Sequence, residues 1–279
     1  MGPIIAFMLD TIGGGGLIGG GPNGGSFSAL GKSLPEYHES MWQTVETVHN
    51  VAVKPVTSVI LAIMFVLMLV RTSAHVEGDS QLGVRIVAAT MFKIAIVFVV
   101  AQNAMNILNA ILSISTDITK TILTNPAASQ GDIGTKMLDR INAMNPMEQI
   151  GALILLLLPF IVALVVAVVP FVLIFVRFLQ LFIMAAFSSL PLAFFGHEDT
   201  KQISIGYLKA FAATALSGTV MVLAIKLYAA IGFSGLGEFN GEVLPFITGN
   251  FWNMLLAPLV LVFILLTANG LAKKLVGDG

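Results

Sequence analysis

The chain has 279 residues, of which 57% are hydrophobic and 10% charged, with a formal net charge of −1. A soluble domain carries roughly 25% charged residues, so a soluble globular domain is excluded, and the near-neutral balance argues against nucleic-acid binding by bulk electrostatics. The absence of cysteine removes disulfides, thiolate metal sites and cysteine nucleophiles.

Residues 1–12 are apolar but too short to span a bilayer, and they lack the basic start of a cleaved signal peptide. The tract "GGGGLIGGGPNGG", Gly13 to Gly25, reads as a flexible linker. A phosphate-binding loop would need a strand before it and a helix opening from it. Ser33 and Glu36 have capping-box spacing around Pro35. Met41, Val45, Val48 and Ala52 then recur at helical spacing, with Glu39, Gln43, Glu46 and His49 between them. This predicts an amphipathic helix lying at the membrane surface, with His38 and His49 as interfacial polar residues.

The first clear span is Val56–Val70, extended by Val51–Pro55 and closed by Arg71. The second begins near Val84 and continues for about 30 residues, or about 45 Å of helix. That exceeds a hydrocarbon core of about 30 Å, so one end projects. Asp117–Gln149 is polar, and Ile133, Met137, Ile141 and Met144 predict a short surface helix within it. Asn145, Pro146 and Glu148 mark the start of the next helix.

The apolar run from Ile150 to Phe195 contains one formal charge, Arg177. As a single helix it would measure about 69 Å, so it is expected to turn back. A span from about Ile205 to Ile231 follows, then a Gly-rich loop over Phe233–Asn250, then a last span over Phe251–Leu271. The fold class is therefore all-α: a polytopic helical membrane protein with about five crossings plus a re-entrant or short hairpin segment. A β-barrel would alternate in polarity over segments of about 10 residues, and these runs do not. Residues 1–50 form an N-terminal segment. Residues 51–275 form the transmembrane domain, with an extracytoplasmic loop at 117–149.

The distribution of Lys and Arg orients the chain. With the N-terminus outside, Arg71, Arg85, Arg177, Lys201, Lys209, Lys273 and Lys274 lie inside. Lys32, Lys54, Lys120, Lys136 and Arg140 lie outside on long segments, where the rule is weakest. Arg177 then marks the cytoplasmic end of the third crossing, where an arginine snorkels at little cost. The segment after it, with Ser188, Ser189 and Pro191, dips back into the bundle or meets another subunit. The competing reading is an ordinary tight pair of spans with an interfacial arginine.

Gln102, Asn106, Asn109 and Ser113 recur at intervals of four, three and four, so they share one helical face. Such a stripe cannot face lipid without cost. It is either an interhelical hydrogen-bonding seam or the wall of an aqueous path or subunit contact. Lys93 lies on the opposite face, paired or snorkelling. Ala213 with Ser217, Thr214 with Gly218, and Ala215 with Thr219 are small-residue pairs suited to close helix packing. Lys226 is expected to snorkel. His197–Asp199 reads as a solvated loop, because consecutive ligands rarely offer a coordination geometry. No HExxH, GxSxG or Walker pattern occurs, so no catalytic, cofactor or metal residue is assigned.

Taken in order, four stretches resemble a known family. They are "TVETVHNVAVKPV", "RIVAATMFKIAIVFVVAQNAMNILNAI", "VRFLQLFIMAAFSSLPLAFFGHED" and "IGYLKAFAATALSGTVMVL". Over about residues 40–275 the pattern is similar to that of the TrbL-like conjugal transfer proteins, polytopic inner-membrane subunits of type IV secretion machines. The glycine tract has no counterpart in it. The resemblance implies a non-enzymatic channel or platform for DNA or protein transfer in the bacterial cytoplasmic membrane. It implies a homo-oligomeric ring beside a transfer ATPase and other secretion subunits, with passing contact to transferred DNA. The alternative is a self-contained solute or ion transporter. Against it, only one broken segment is evident, and five crossings do not divide into two equal halves.

Overall fold

Long uncharged runs become long helices because a helix satisfies its own backbone hydrogen bonds. The computed structural model describes residues 1–12, 25–74, 80–124, 133–231 and 241–277, and no strand occurs among them. The helices are α1 (Gly2–Ile12), α2 (Leu34–Tyr37), α3 (Glu39–Val48), α4 (Lys54–Ala74), α5 (Ser80–Gln102) and α6 (Ala104–Thr124). There follow α7 (Ile133–Asn142), α8 (Pro146–Ala186), α9 (Ser189–Ala193), α10 (Lys201–Ile231) and α11 (Val243–Val276). Among the described residues, five segments are long and apolar enough to cross a membrane: Glu39–Arg71, Val84–Gln102, Pro146–Ala186, Lys201–Leu227 and Val243–Val276. The chain is an all-α polytopic membrane protein. Nearly all of the glycine tract, residues 75–79 of the predicted 72–83 loop, and residues 233–240 of the predicted 233–250 loop lie outside the described residues; the ends of the 72–83 stretch belong to α4 and α5 rather than to a loop.

The chain divides into two compact units. The first comprises Met1–Lys32, Thr116–Arg177 and Ser217–Leu271; the second comprises Ser33–Ser115, Phe178–Leu216 and Ala272–Gly279. In the first unit, Ile5, Leu9 and Ile12 of α1 join Met137 and Ile141 of α7, Leu156 of α8, and Ile247 of α11 in one buried cluster. Helix α7 thus buries its apolar face against α1. The two backbones touch at Gly134, where a Cβ would lie 2.7 Å from the Ala6 carbonyl carbon and 2.8 Å from its Cα. Asp10 Oδ1 accepts the Gly134 N–H at 2.7 Å, so a carboxylate sits on the positive N-terminal end of α7.

In the second unit, Leu61 of α4, Val97 and Ala101 of α5, and Ala193 of α9 form a buried cluster. The Tyr37 ring lies flat on Phe178, with centroids 3.7 Å apart. The capping box at Ser33 forms as its spacing predicts, with Ser33 N–H donating to Glu36 Oε2 at 2.8 Å. Pro146 opens α8, and Asn145 N–H donates to Glu148 Oε2 at 3.3 Å.

Three expectations are corrected. The run after Ile150 does not turn back at Arg177. Helix α8 continues unbroken for 41 residues, through Pro159 and Pro170, and turns only at Phe187–Ser188. Its length of about 62 Å rules out a turn within it, because neither proline stops it. The predicted surface helix is not separate from the first span. Helix α3 runs through a π-helical turn, His49–Val53, directly into α4. The last helix begins at Val243, so the second half of the expected 233–250 loop is helical.

Candidate functional site

In a chain this apolar, function is sought where polar side chains enter the helices. Three groups stand out.

The first is the amide stripe. Helices α5 and α6 together run from Ser80 to Thr124 and are interrupted once, at Asn103. There the Val99 carbonyl accepts both the Asn103 N–H at 3.0 Å and the Asn103 Nδ2–H at 2.9 Å. A side chain that competes for a backbone acceptor in this way loosens the ladder. Asn106 Nδ2 donates to Asn103 Oδ1 at 3.4 Å. Gln102 and Asn109 are half-buried; Asn103, Asn106 and Ser113 are exposed. The stripe therefore lies on the outer side of its helix. The buried side carries Ala101, Ala104, Leu108, Leu112 and Ser115.

The second group sits at the corner where α8 ends. His49, in the π-helical turn, is 1% exposed, and its Nδ1–H donates to the Ala186 carbonyl at 2.9 Å. It is a buried side chain, not the interfacial one its position suggested, because it lies in the π turn against the end of α8. Thr57 Oγ1 and Ser189 Oγ are 2.9 Å apart. Ser204 Oγ donates to the Pro191 carbonyl at 2.6 Å and Tyr207 Oη to the Met184 carbonyl at 2.5 Å. Carbonyls near a helix end lack some of their intrahelical partners, and His49 and Tyr207 donate to those of Ala186 and Met184 at the end of α8. Ser188 and Ser189 are buried and Pro191 half-buried. His49 Nε2 and Ser188 Oγ are buried with no hydrogen-bond partner among the described residues.

The third group surrounds Arg177. It is 3% exposed and lies within α8, nine residues before its end. It does not snorkel to a surface. Its guanidinium occupies the space over Gly218 of α10: a Cβ there would lie 2.6 Å from Nη2 and 2.7 Å from Nε. The small residues Ala213, Thr214, Ser217 and Gly218 are all buried. Two polar contacts between α6 and α10 were not anticipated. Ser115 Oγ donates to the Ala215 carbonyl at 2.7 Å, and Thr119 and Thr219 hydroxyls meet at 2.8 Å. Lys226 Nζ donates to the Ile122 carbonyl and, at 3.2 Å, to that of Leu123, near the end of α6. Cations are favoured at that negative end.

Outside the apolar crossings, the 197–199 loop is pinned by ion pairs. Arg71 meets Asp199 at 2.8 Å and Lys93 meets Glu198 at 2.9 Å. The hydrogen bond and charge of Lys93, with help from Lys201, hold the Glu198 carboxyl below the usual carboxylate range. No group of three metal-capable side chains occurs among the described residues. These arrangements position helices and present amides.

Residues 25–189 match the family described as TrbL/VirB6 plasmid conjugal transfer like protein. No curated protein and no solved structure matches the chain. The family match takes in the whole amide stripe and His49, Thr57, Ser188 and Ser189 of the α8 corner, and ends before Pro191 and α10. It covers more than half of the chain, in a polypeptide with five helices able to cross a membrane. The chain is therefore a multi-pass membrane protein that belongs to the TrbL/VirB6-like family of conjugal transfer, type IV secretion components.

Proposed function

We propose that this chain is a non-enzymatic channel or platform subunit of a conjugative type IV secretion machine, moving DNA or protein across the bacterial cytoplasmic membrane. It sits in that membrane with its N-terminus outside and its C-terminus in the cytoplasm, in a homo-oligomeric ring beside a transfer ATPase. The observation that carries the reading is the amide stripe of Gln102, Asn106 and Asn109. Its amides are exposed or half-buried, within a stretch from Ile94 to Thr116 that carries no formal charge. Ser113 extends it by one turn. Arg177, Ser188, Ser189 and Pro191 serve as further lining or subunit-contact residues, and transferred DNA passes close to the stripe.

Replacing Gln102, Asn106 and Asn109 together by Leu tests this in a mating assay. Transfer is expected to be lost while the protein remains in the membrane fraction. Unchanged transfer would remove the stripe from the mechanism. Gentle purification from native cells gives the partner test. Recovery with a transfer ATPase and other conjugation subunits supports the machine. Recovery alone moves the weight to a self-contained transporter, for which the interruption at Asn103 would be the natural binding region.

A further inference from the structure

Hydropathy alone places the second crossing at Val84–Gln102. That window contains Arg85 and Lys93 and centres on Lys93. The side-chain contacts argue for a different register. Lys93 and Glu198 form an ion pair with side chains 46% and 76% exposed, and Arg71 and Asp199 form another at 63% and 62%. Exposed ion pairs belong in water or headgroups, not at the centre of hydrocarbon. They also lie together, because Glu198 and Asp199 are adjacent and Arg71 closes the first span. Lys93 is therefore at the edge of the bilayer.

The residues from Ile94 to Thr116 carry no formal charge and are bounded by Lys93 and Asp117. At 1.5 Å per residue they measure about 34 Å, close to a hydrocarbon core of about 30 Å. In the neighbouring α4 the uncharged part is Pro55–Val70, and Leu61, near its middle, packs with Val97 and Ala101, which lie beyond Lys93 toward Asn103.

We infer that the second crossing is Ile94–Thr116, with its interruption at Asn103 near the bilayer midplane, and that Gln102, Asn106 and Asn109 hold water there beside the lipid-facing side of the helix. Among the described residues, Gln102 and Asn109 make no side-chain hydrogen bond, and Asn106 makes one. A carboxamide has two donors and two acceptor sites, so most of this capacity is open. At that depth it cannot be left to lipid. Next to the stripe, Ile96, Val99 and Ile114 present an exposed apolar flank to the hydrocarbon. The helix thus has a greasy side and a wet side along one crossing. The inference rests on the membrane-spanning fold and not on the channel reading.

The chain has no cysteine, so single cysteines can be spin-labelled without background. Labels at Phe92, Ile96, Val99, Ala110 and Ile114 in phosphatidylcholine–phosphatidylglycerol vesicles report depth, from collisions with oxygen against a water-soluble nickel chelate. The deepest position is expected between Val99 and Ala110. A maximum at Phe92 would overturn the register. Labels at Gln102, Asn106 and Asn109 are then expected to meet the nickel chelate several-fold more often than Val99 does. If they collide with neither reagent, protein covers the stripe and the water site is wrong. Loss of the channel reading appears separately, as unaltered mating by the triple Leu variant.

Discussion

Arg177 lies on Gly218. Its guanidinium fills the volume that any side chain at that position of α10 would need, and both residues are buried. A glycine can be required by what packs on it as much as by its backbone angles, and here the requirement comes from a charged group. Gly218→Ala is expected to destabilise the protein by about 1–3 kcal/mol, the usual cost of overpacking. Arg177→Ala should relieve part of that cost, with a coupling energy above about 0.5 kcal/mol. Thermal unfolding of the four proteins in detergent measures it. Equal cost in both backgrounds would mean that the two side chains do not share the space.

The α1–α7 contact gives a sharper clash, because the neighbour is backbone and cannot rotate away. A Cβ on Gly134 would overlap the Ala6 carbonyl group. Gly134→Ala should separate the helices, release Asp10 from the α7 N-terminus and expose Ile5 and Leu9. Limited proteolysis should then cut within residues 1–12 at least several-fold faster than in the parent. An unchanged cleavage rate would mean the pair closes by another route.

The Thr119–Thr219 contact is a pair of hydroxyls buried between helices. Either threonine alone changed to Val leaves the other without this contact, whereas changing both removes the demand along with the bond. The cycle should give a coupling of about 0.6 kcal/mol, the average for such bonds in membrane helices, and at most about 2 kcal/mol. Strict additivity of the two single variants would assign the contact no energetic role.

Lys93 and Glu198 should confer a pH-dependent effect. The Glu198 carboxyl is depressed in the fold by Lys93. A depressed carboxyl favours the folded state above its unfolded value, about 4.3 for glutamate. That contribution is lost as pH falls through the lower folded value. The difference in unfolding midpoint between the parent and Lys93→Met should be present near neutrality, vanish at acid pH below that range, and shrink in about 1 M salt. Both groups are exposed, so the effect is small. A difference constant down to acid pH would show that the lysine acts through packing alone.

What the sequence disclosed depended on whether a signal was local. The Ser33–Glu36 box and the Pro146 start are set within four residues, and both form as read. The number of crossing helices follows from apolar length, and five are found. Arg177 was misplaced because hydropathy treats an arginine as an end marker, while the glycine that makes room for it lies 41 positions away. The two faces of α6 were separable by period, but period does not say which one packs. The inward face is made of Ala104, Leu108, Leu112 and Ser115, with Thr119 one turn on; the conspicuous amides point outward. The interruption at Asn103 was missed because asparagine is tolerated in helices; its competition for the Val99 carbonyl is visible only in coordinates.

The two prolines inside α8 deserve a mechanical reading. Pro159 and Pro170 cannot donate to the carbonyls of Leu155 and Val166, so the helix is most compliant at those two points. They are eleven residues apart, which at 3.6 residues per turn is three turns and about 20°. Both prolines are buried on the same side. Two joints on one side flex in one plane and their deflections add, where joints on opposite sides would cancel. Helix α8 therefore has both of its open hydrogen-bond positions on one face, so that a bend at either lies in nearly the same plane.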